Sequence, residues 1–383
     1  MTPRTRLGKR LRSLLIAVGL TAMTLLGIAH HEQPTVATPE GALLPAAAAA
    51  EKPIAAAYVY DRAGLTLKDA DASKLNQLNF SFALIKNGKA SGSHWQAIDA
   101  FKAYVRKHTH ITPVLSIGGW GADGFSQAAS TAAGRETLAS SLISLMTEHG
   151  FRGVDIDWEY PGSSAGGIQS SRSDKENFTA LLRLLRQKLD ELTAQDGKQR
   201  LLCIALGAEP SLASNIEAAT VGALVDQVNL MTYDMHTGAS STAHHTALYS
   251  ASGKLCADTA VKAYVSAGIP RRKIMLGAAF YGRAWTKASG ADLPTNGGSM
   301  KEYTFKRIVS MVENQTSTAY YDPDAEAAYL YDGNLFISYD SERSILAKGA
   351  YVRQNGLMGL MCWEYGGDSN SRLVSAMAEG LQP

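Results

Sequence analysis

The segment FRGVDIDWEYPG, residues 151–162, places three carboxylates, Asp155, Asp157 and Glu159, at every second position of a run that is otherwise largely apolar. In a β-strand alternate side chains share a face, so the three acids point the same way. Buried like charges raise one another's pKa, and such a cluster is expected to hold a shared proton near neutral pH. A protonated carboxyl next to an ionised one is the arrangement of a general acid and its electrostatic partner. The segment therefore predicts acid–base catalysis with Glu159 as the acid.

Two other roles suit carboxylates at this spacing: a site for a divalent cation and a structural polar network. The ends of other apolar runs favour catalysis, because polar and aromatic side chains gather there. These are Gly118, Gly119 and Trp120 in SIGGWG, Met231, Tyr233 and Asp234 in MTYD, Tyr281 and Arg283 in FYGR, and Trp363 in CWEY. Aromatic walls above a carboxylate base suit a sugar polymer, whose C–H faces stack on aromatic rings.

Eight short apolar runs must position these side chains. They are rich in Val, Ile, Leu and Phe and mostly do not alternate with polar residues, which is typical of parallel strands buried on both faces. The runs begin at Ile54, Leu78, Ile111, Gly153, Leu201, Val225, Lys273 and Gly356. Helical patterns separate them, and the clearest starts with a capping box formed by Ser173 and Glu176. Eight β/α units predict an α/β fold of the (β/α)8 barrel type, with the active site at the carboxyl ends of the strands.

The chain is longer than a minimal barrel, so an insertion is expected. The surplus lies between strands seven and eight, and we predict a small α+β insertion over residues 286–338. Within it, AAYLYDGNLFISY indicates a hairpin that turns at Asp332-Gly333.

The N-terminus is predicted to be a targeting segment. A basic stretch precedes an uncharged run over residues 14–29, which is short for a membrane span of about 20 residues. We expect residues 1–29 to be a signal peptide, with a second cleavage region reaching residue 50, residues 30–52 to be a linker, and residues 53–383 to be the catalytic body. The first 50 residues hold five basic and two acidic side chains, so the formal net charge of +2 becomes −1 without them. A near-neutral exported body argues against nucleic acid as a partner.

Together, GVDIDWE, SIGG, MTYD and GLMGLMCWEYGGD resemble glycoside hydrolase family 18, the bacterial-type chitinases, from Ile54 to the end of the chain. The resemblance implies a secreted, monomeric enzyme that acts on chitin or N-acetylglucosamine oligosaccharides and needs no cofactor or metal. It also implies a mechanism in which the 2-acetamido oxygen of the substrate is the nucleophile and anomeric configuration is retained.

The resemblance implies a role for each site residue. Glu159 would act first as acid and then as base. Asp157 would hold the acetamido N–H and share a proton with Asp155, Tyr233 would bind the acetamido carbonyl, and Asp234 would tune Glu159. The cleft would be formed by Trp363 as the floor of the −1 subsite, by Trp120, by Gly118, Gly119, Tyr160, Met231, Tyr281 and Arg283, and by Tyr58 and Phe82 near the ends of the first two strands.

Two positions depart from the family's pattern. Arg152 stands where an Asp is usual, and HTGASSTAHHTALY lacks the usual Trp. Arg152 is expected near the stability face of the barrel, so activity should survive, and the missing Trp should weaken an outer subsite. The alternatives are an endo-β-N-acetylglucosaminidase, a cell-wall hydrolase, and a chitin-binding lectin. The short insertion favours an open cleft and endo action.

Overall fold

The computed structural model describes residues 52–250, 253–368 and 370–383. The predicted signal peptide and all but the last residue of the predicted linker lie outside the described residues. The strands are β1 (Ile54–Tyr60), β2 (Gln77–Lys86), β3 (Lys89–Ser91), β4 (Thr112–Gly118), β5 (Gly153–Asp157), β6 (Leu201–Gly207), β7 (Gln227–Met231), β8 (Ile274–Ala279), β9 (Tyr281–Trp285), β10 (Met300–Thr304), β11 (Thr318–Asp322), β12 (Ala327–Tyr331), β13 (Phe336–Tyr339) and β14 (Gly359–Trp363). The α-helices are α1 (Asp69–Ala72), α2 (Ile98–Lys107), α3 (Phe125–Ala129), α4 (Ala132–Glu148), α5 (Asp174–Asp196), α6 (Ala218–Leu224), α7 (Ala257–Ser266), α8 (Phe305–Glu313), α9 (Glu342–Asn355) and α10 (Arg372–Gly380).

Eight parallel strands close into a ring in the order β1, β2, β4, β5, β6, β7, β8 and β14, and β14 pairs again with β1. Helices connect successive strands, so the predicted (β/α)8 barrel is confirmed. All eight apolar runs form barrel strands. None of the described helices is both long enough and apolar enough to cross a membrane.

The segment that carries the three acids is divided between two environments. Val154, Ile156 and Trp158 belong to the apolar cluster outside the ring, where the strands meet the helices. The Trp158 ring stacks on Phe125, with centroids 5.3 Å apart, and meets Phe178 of α5 edge-on at 5.8 Å. Burial of a side chain of this size contributes about 1.5–3 kcal/mol. This outward packing fixes the strand's rotation, and the alternate carboxylates therefore face the ring interior.

The predicted capping box at the start of α5 is wrong. Ser173 has φ −88° and ψ 3° and makes no capping hydrogen bond through its side chain, because a capping residue needs extended backbone. Asp174 anchors this end of the helix instead. Its fully buried carboxylate accepts hydrogen bonds from the Ser126 hydroxyl at 2.7 Å and the Ser171 amide at 2.7 Å.

A second, antiparallel sheet lies between barrel strands β8 and β14, in the order β10, β9, β13, β12, β11, together with α8. It begins at Tyr281, five residues before the predicted start of the insertion, because β9 follows β8 after a single residue and continues its apolar run. The hairpin pairs β12 with β13, and Tyr331 faces Phe336. Its loop has four residues rather than two, and the Asp332 carboxylate accepts hydrogen bonds from the Asn334 and Leu335 amides at 2.9 and 2.7 Å.

The connection from β7 to α7 runs against this insertion. Within it, residues 242–246, here named the strap, are all buried. The Thr242 hydroxyl donates to the Gly290 carbonyl at 2.6 Å, and the His245 amide donates to the Ser338 hydroxyl at 3.0 Å. The strap therefore joins the end of a barrel strand to the insertion.

Candidate active site

The three acids of β5 lie at the carboxyl end of the barrel, the end where barrel enzymes place their chemistry. Asp155 and Asp157 are the third and last residues of the strand, and Glu159 follows it. Exposed fractions rise along this row, from 0% at Asp155 to 4% at Asp157 and 9% at Glu159. The row thus leads from the barrel interior to its mouth.

Asp155 is held by three hydrogen-bond donors. Tyr58 Oη lies 2.8 Å and Ser116 Oγ 2.7 Å from Asp155 Oδ2, and Asn229 Nδ2 lies 3.0 Å from Oδ1. Burial raises the pKa of Asp155, and the hydrogen bonds from Ser116, Tyr58 and Asn229 offset part of that rise. Three donors on one carboxylate fix its orientation and stabilise its charged form.

Asp157 differs from its neighbour. Its Oδ1 atom is buried and has no hydrogen-bond partner among the described residues. Burial, followed by the nearby charges of Glu159 and Asp155, raises the pKa of Asp157 well above its usual value. A carboxyl group in this state takes up a proton readily, and Asp157 is one of the residues that line the cleft described below.

Glu159 has the pKa of a general acid for neutral solution. Burial raises its pKa to about 7, a hydrogen bond with Tyr160 lowers it, and the negative charge of Asp234 raises it. At neutral pH the protonated and ionised forms are therefore both populated, which suits a group that donates a proton and later accepts one.

Asp234 is the ionised partner. Both of its oxygens accept hydrogen bonds from Arg283, with Nε to Oδ1 and Nη2 to Oδ2 at 2.6 Å each, and His245 Nδ1 lies 3.4 Å from Oδ1. Burial alone would raise the pKa of Asp234, but its interactions with His245 and Arg283 hold it well below its usual range. Asp234 therefore remains a negative charge beside Glu159.

A cleft of about 780 Å³ opens above these acids. The Trp363 ring stacks on Phe82 with centroids 5.5 Å apart and an interplanar angle of 22°. Trp120, 64% exposed, stands at the rim with its ring 6.4 Å from that of Tyr160. The lining includes Tyr58, Phe82, Trp120, Asp157, Glu159, Tyr160, Met231, Tyr233, Asp234, Tyr281, Arg283 and Trp363. Of the residues predicted to form the site, these twelve share one cavity.

Tyr233 lies at the cleft wall, and its Oη is 3.9 Å from the sulfur of Met361. Burial, and then the charges of Asp157, Glu159 and Asp234, raise the pKa of Tyr233 well above its usual value. The hydroxyl therefore keeps its proton and is available as a hydrogen-bond donor to a ligand.

Gly118 and Gly119 do not line the cleft, although the sequence analysis placed them among its wall residues. Gly118 has φ +118°, and a Cβ there would lie 2.0 Å from the Asp157 carbonyl oxygen. A Cβ on Gly119, at φ +94°, would lie 2.7 Å from the Phe82 ring. The two glycines let the end of β4 approach β5 and β2 closely, so they support the wall from behind.

Sequence reasoning missed three residues that hold the acids: Ser116, Asn229 and His245. Ser116 could have been found, because it faces Asp155 in the strand register and belongs to the quoted SIGG motif. Asn229 lies two residues before Met231, on the same strand face. The sequence gives no signal for the role of His245 other than its position in a loop.

The described part of the chain has no group of three His, Cys, Asp or Glu side chains arranged to hold a metal ion. Asp155 directs both of its oxygens to protein donors.

The fold is a (β/α)8 barrel, and the site is an aromatic-walled cleft with carboxylates at its base, at the carboxyl ends of the barrel strands. The chain belongs to glycosyl hydrolases family 18, whose family model matches residues 55–368.

The chain is 34% identical to Chitinase A1 of Niallia circulans over 331 residues, which cover 78% of this chain and 47% of that protein. It is 32% identical to Chitotriosidase-1 of Mus musculus over 330 residues, covering 77% of this chain and 68% of that one. A solved structure described as a novel glycoside hydrolase family 18 N-acetylglucosaminidase from Paenibacillus barengoltzii matches with a TM-score of 0.81 and 39% identity, covering 86% of this chain and 99% of that one. The chain thus spans about half the length of Chitinase A1.

Proposed function

We propose that this protein is a chitinase that hydrolyses β-1,4 bonds between N-acetylglucosamine units and retains the anomeric configuration. The observation that carries this proposal is the group of side chains at the base of the cleft, where the buried carboxyl of Asp157, whose Oδ1 no described residue binds, lies with Glu159 and Tyr233. That arrangement suits an acetamido group, which offers one N–H and one carbonyl oxygen.

In the first step, Glu159 donates its proton to the glycosidic oxygen, and the leaving sugar departs as an alcohol. The acetamido carbonyl oxygen of the −1 sugar attacks its own C1 and forms an oxazolinium ring. Asp157 accepts the hydrogen bond of the acetamido N–H and stabilises the positive charge that develops there. Tyr233 donates a hydrogen bond to the carbonyl oxygen, and Asp155 shares the proton of Asp157 before that residue turns to the substrate.

In the second step, ionised Glu159 removes a proton from water. The resulting hydroxide attacks C1 and opens the oxazolinium ring, so the sugar returns to its original anomeric form. Glu159 ends the cycle protonated, as it began.

The cleft directs the sugar chain across the acids. The stacked pair of Trp363 and Phe82 offers a hydrophobic face to the −1 sugar, and exposed Trp120 offers a second face at the rim. We infer endo action, because a short insertion favours an open cleft and Trp120 at the rim is 64% exposed. Endo-β-N-acetylglucosaminidase and cell-wall hydrolase activities share this mechanism and are separated by substrate choice.

A second candidate is release of single N-acetylglucosamine units. It is favoured by the 39% identical relative, which is described as an N-acetylglucosaminidase. Product analysis with chitohexaose separates the two candidates, because early products of mixed length indicate internal cleavage and early monosaccharide indicates release from an end. A parallel digest of an N-glycoprotein separates the endo-β-N-acetylglucosaminidase.

The proposal is tested by Glu159→Gln. We expect turnover of chitohexaose to fall by at least about 10²–10⁴-fold, because the amide cannot donate a proton, while binding measured by calorimetry persists. The matched control is Glu176→Gln on the exposed face of α5, which should leave turnover unchanged. Wild-type protein that binds chitohexaose without cleaving it would instead support the lectin.

A further inference from the structure

The strap is tied to the insertion along its whole length. His244 Nε2 lies 3.3 Å from Asp322 Oδ2 of β11, and the Thr246 hydroxyl donates to Asp340 Oδ2, just after β13, at 2.9 Å. The His245 amide donates to Ser338 of β13. These contacts hold the strap against the second sheet.

The side chain of His245 leaves the strap on the side of the catalytic cleft. It is fully buried, and its ring centroid lies 5.3 Å from that of Tyr281. Its Nδ1 lies 3.3 Å from the Asp234 amide nitrogen and 3.4 Å from Asp234 Oδ1. Its Nε2 is buried and has no hydrogen-bond partner among the described residues. Among the described residues, the His245 imidazole therefore makes polar contacts only with Asp234.

Asp234 needs such support. Its backbone has φ +55°, in the left-handed region, which is costly for a residue with a Cβ and persists only where surrounding contacts enforce it. Arg283 holds the carboxylate, but none of its contacts involves the Asp234 backbone. The only group placed to bind the Asp234 N–H in the described structure is His245 Nδ1.

We propose that His245 is a positioning residue for the hydrolytic reaction: its Nδ1 accepts a hydrogen bond from the Asp234 N–H, and through it the insertion holds the backbone of Asp234 so that the carboxylate stays near Glu159. This inference rests on the proposed function, since the reaction it supports is the cleavage step assigned to Glu159. The atom that matters is Nδ1, because Nε2 touches no polar group of the described residues.

The position of Asp234 has a measurable effect on Glu159, because the negative charge of Asp234 raises the pKa of Glu159. If Asp234 turns away, that influence weakens and Glu159 loses its proton at a lower pH. A positioning role for His245 is therefore visible in the pH dependence of the reaction as well as in its rate.

The experiment compares His245→Asn with His245→Gln. The Asn amide can occupy the place of Nδ1, whereas the longer Gln side chain places its amide near Nε2. We expect the Asn variant to keep a kcat close to wild type. The Gln variant should lose about 10- to 100-fold in kcat on chitohexaose and show a basic limb of kcat/KM at lower pH, with an unfolding midpoint matching that of the Asn variant.

His244→Gln is the matched control. It makes the same exchange at the neighbouring imidazole of the strap, but there the Gln amide can take the place of Nε2 and keep the contact with Asp322. His244 makes no contact with Asp234, so the kcat and pH profile of this variant should match wild type. If the His245→Gln variant does not fold, as seen by loss of its thermal transition, His245→Ala takes its place, because it removes the same contact without adding atoms.

The inference would be overturned if the His245→Asn variant and the His245→Gln or His245→Ala variant had equal kcat values and equal pH profiles. In that case the position of the amide group would not matter, and His245 would only fill space. Wild-type protein that does not cleave chitohexaose would instead contradict the proposed function.

Discussion

The structure pushes the pKa values of two cleft carboxylates in opposite directions. Asp157 is buried and lies near two other acids, so its pKa is raised. Asp234 receives two hydrogen bonds from Arg283, so its pKa is lowered despite burial. Glu159 lies within the influence of Asp234 and has a pKa of about 7. Separate environments thus give similar side chains distinct protonation states at one pH.

This difference predicts the pH dependence of the reaction. Because Glu159 must be protonated to act as the acid, kcat/KM should fall as pH rises through about 7. Asp234 raises the pKa of Glu159, so Asp234→Asn should move this basic limb to lower pH, in addition to lowering the rate. The check is a kcat/KM profile from pH 4 to 9 with a soluble chitooligosaccharide; a limb that stays in place or moves to higher pH would count against the assignment.

At the scale of elements, a buried ion pair connects α9, the end of the insertion and the barrel. Lys348 and Asp340 are 0% and 1% exposed, and Lys348 Nζ lies 2.7 Å from Asp340 Oδ2. The same ammonium group contacts the Thr246 hydroxyl at 2.6 Å, and Asp340 Oδ2 accepts from the Ala279 amide of β8 at 2.8 Å. One pair of charges therefore links four segments: α9, the end of the insertion, the strap and β8.

Lys348→Met should lower the free energy of unfolding by about 3–5 kcal/mol, because it leaves the Asp340 carboxylate buried without its cation. Lys262→Met is the control, since Lys262 forms an exposed pair with Asp258 of α7 and its loss should cost less than about 1 kcal/mol. Urea unfolding of both variants measures the difference. Similar midpoints for the two would mean that the buried pair contributes no more than a surface pair.

The barrel strands could be predicted from the sequence because each is a local apolar run bounded by turns. The acids could also be predicted, since the alternation of Asp155, Asp157 and Glu159 with apolar residues is contained in seven consecutive positions from Gly153. What could not be predicted arises from contacts distant in sequence. Asn229 meets Asp155 across 74 positions, and Lys348 meets Thr246 across 102, contacts that exist only once the ring has closed.

The start of the insertion shows a different limit. β9 is almost as buried as the barrel strand before it, and only its antiparallel pairing with β10 and β13 assigns it to the second sheet. A hydrophobic pattern indicates that a strand is buried, but it does not indicate to which sheet the strand belongs. The start of the insertion was therefore predicted at residue 286, whereas the second sheet begins at Tyr281.

At the scale of the whole molecule, the distribution of charge along the chain and the length of the N-terminal uncharged run indicate where the protein is located. The first 50 residues carry the basic excess, and the remainder has a formal net charge of −1. That near-neutral charge supports the proposal of an exported catalytic body and argues against nucleic acid as a partner. The uncharged run over residues 14–29 supports export, because it is shorter than a membrane span of about 20 residues.

Expression of the whole chain in an export-competent bacterial host should release protein that begins between residues 30 and 51. Mass spectrometry of the intact protein from the medium gives the new N-terminus directly. A variant with the basic residues from Arg4 to Arg12 replaced by Ser should be exported less efficiently, because a signal peptide needs its basic region. Full-length protein retained in the membrane fraction would support an anchor instead.

The strap also constrains how this chain could be recombined. A second sheet inserted between two barrel strands looks like a cassette that an engineer could exchange by cutting at Tyr281 and Tyr339. Its partners, however, lie on the β7–α7 connection, more than 30 residues upstream of the first cut: Thr242, His244 and His245 would all face a foreign surface. A graft of the sheet alone would therefore disturb Asp234 without touching any cleft residue of β5. A working chimera must carry two discontinuous stretches from the same parent, so the unit of exchange is the sheet together with its strap.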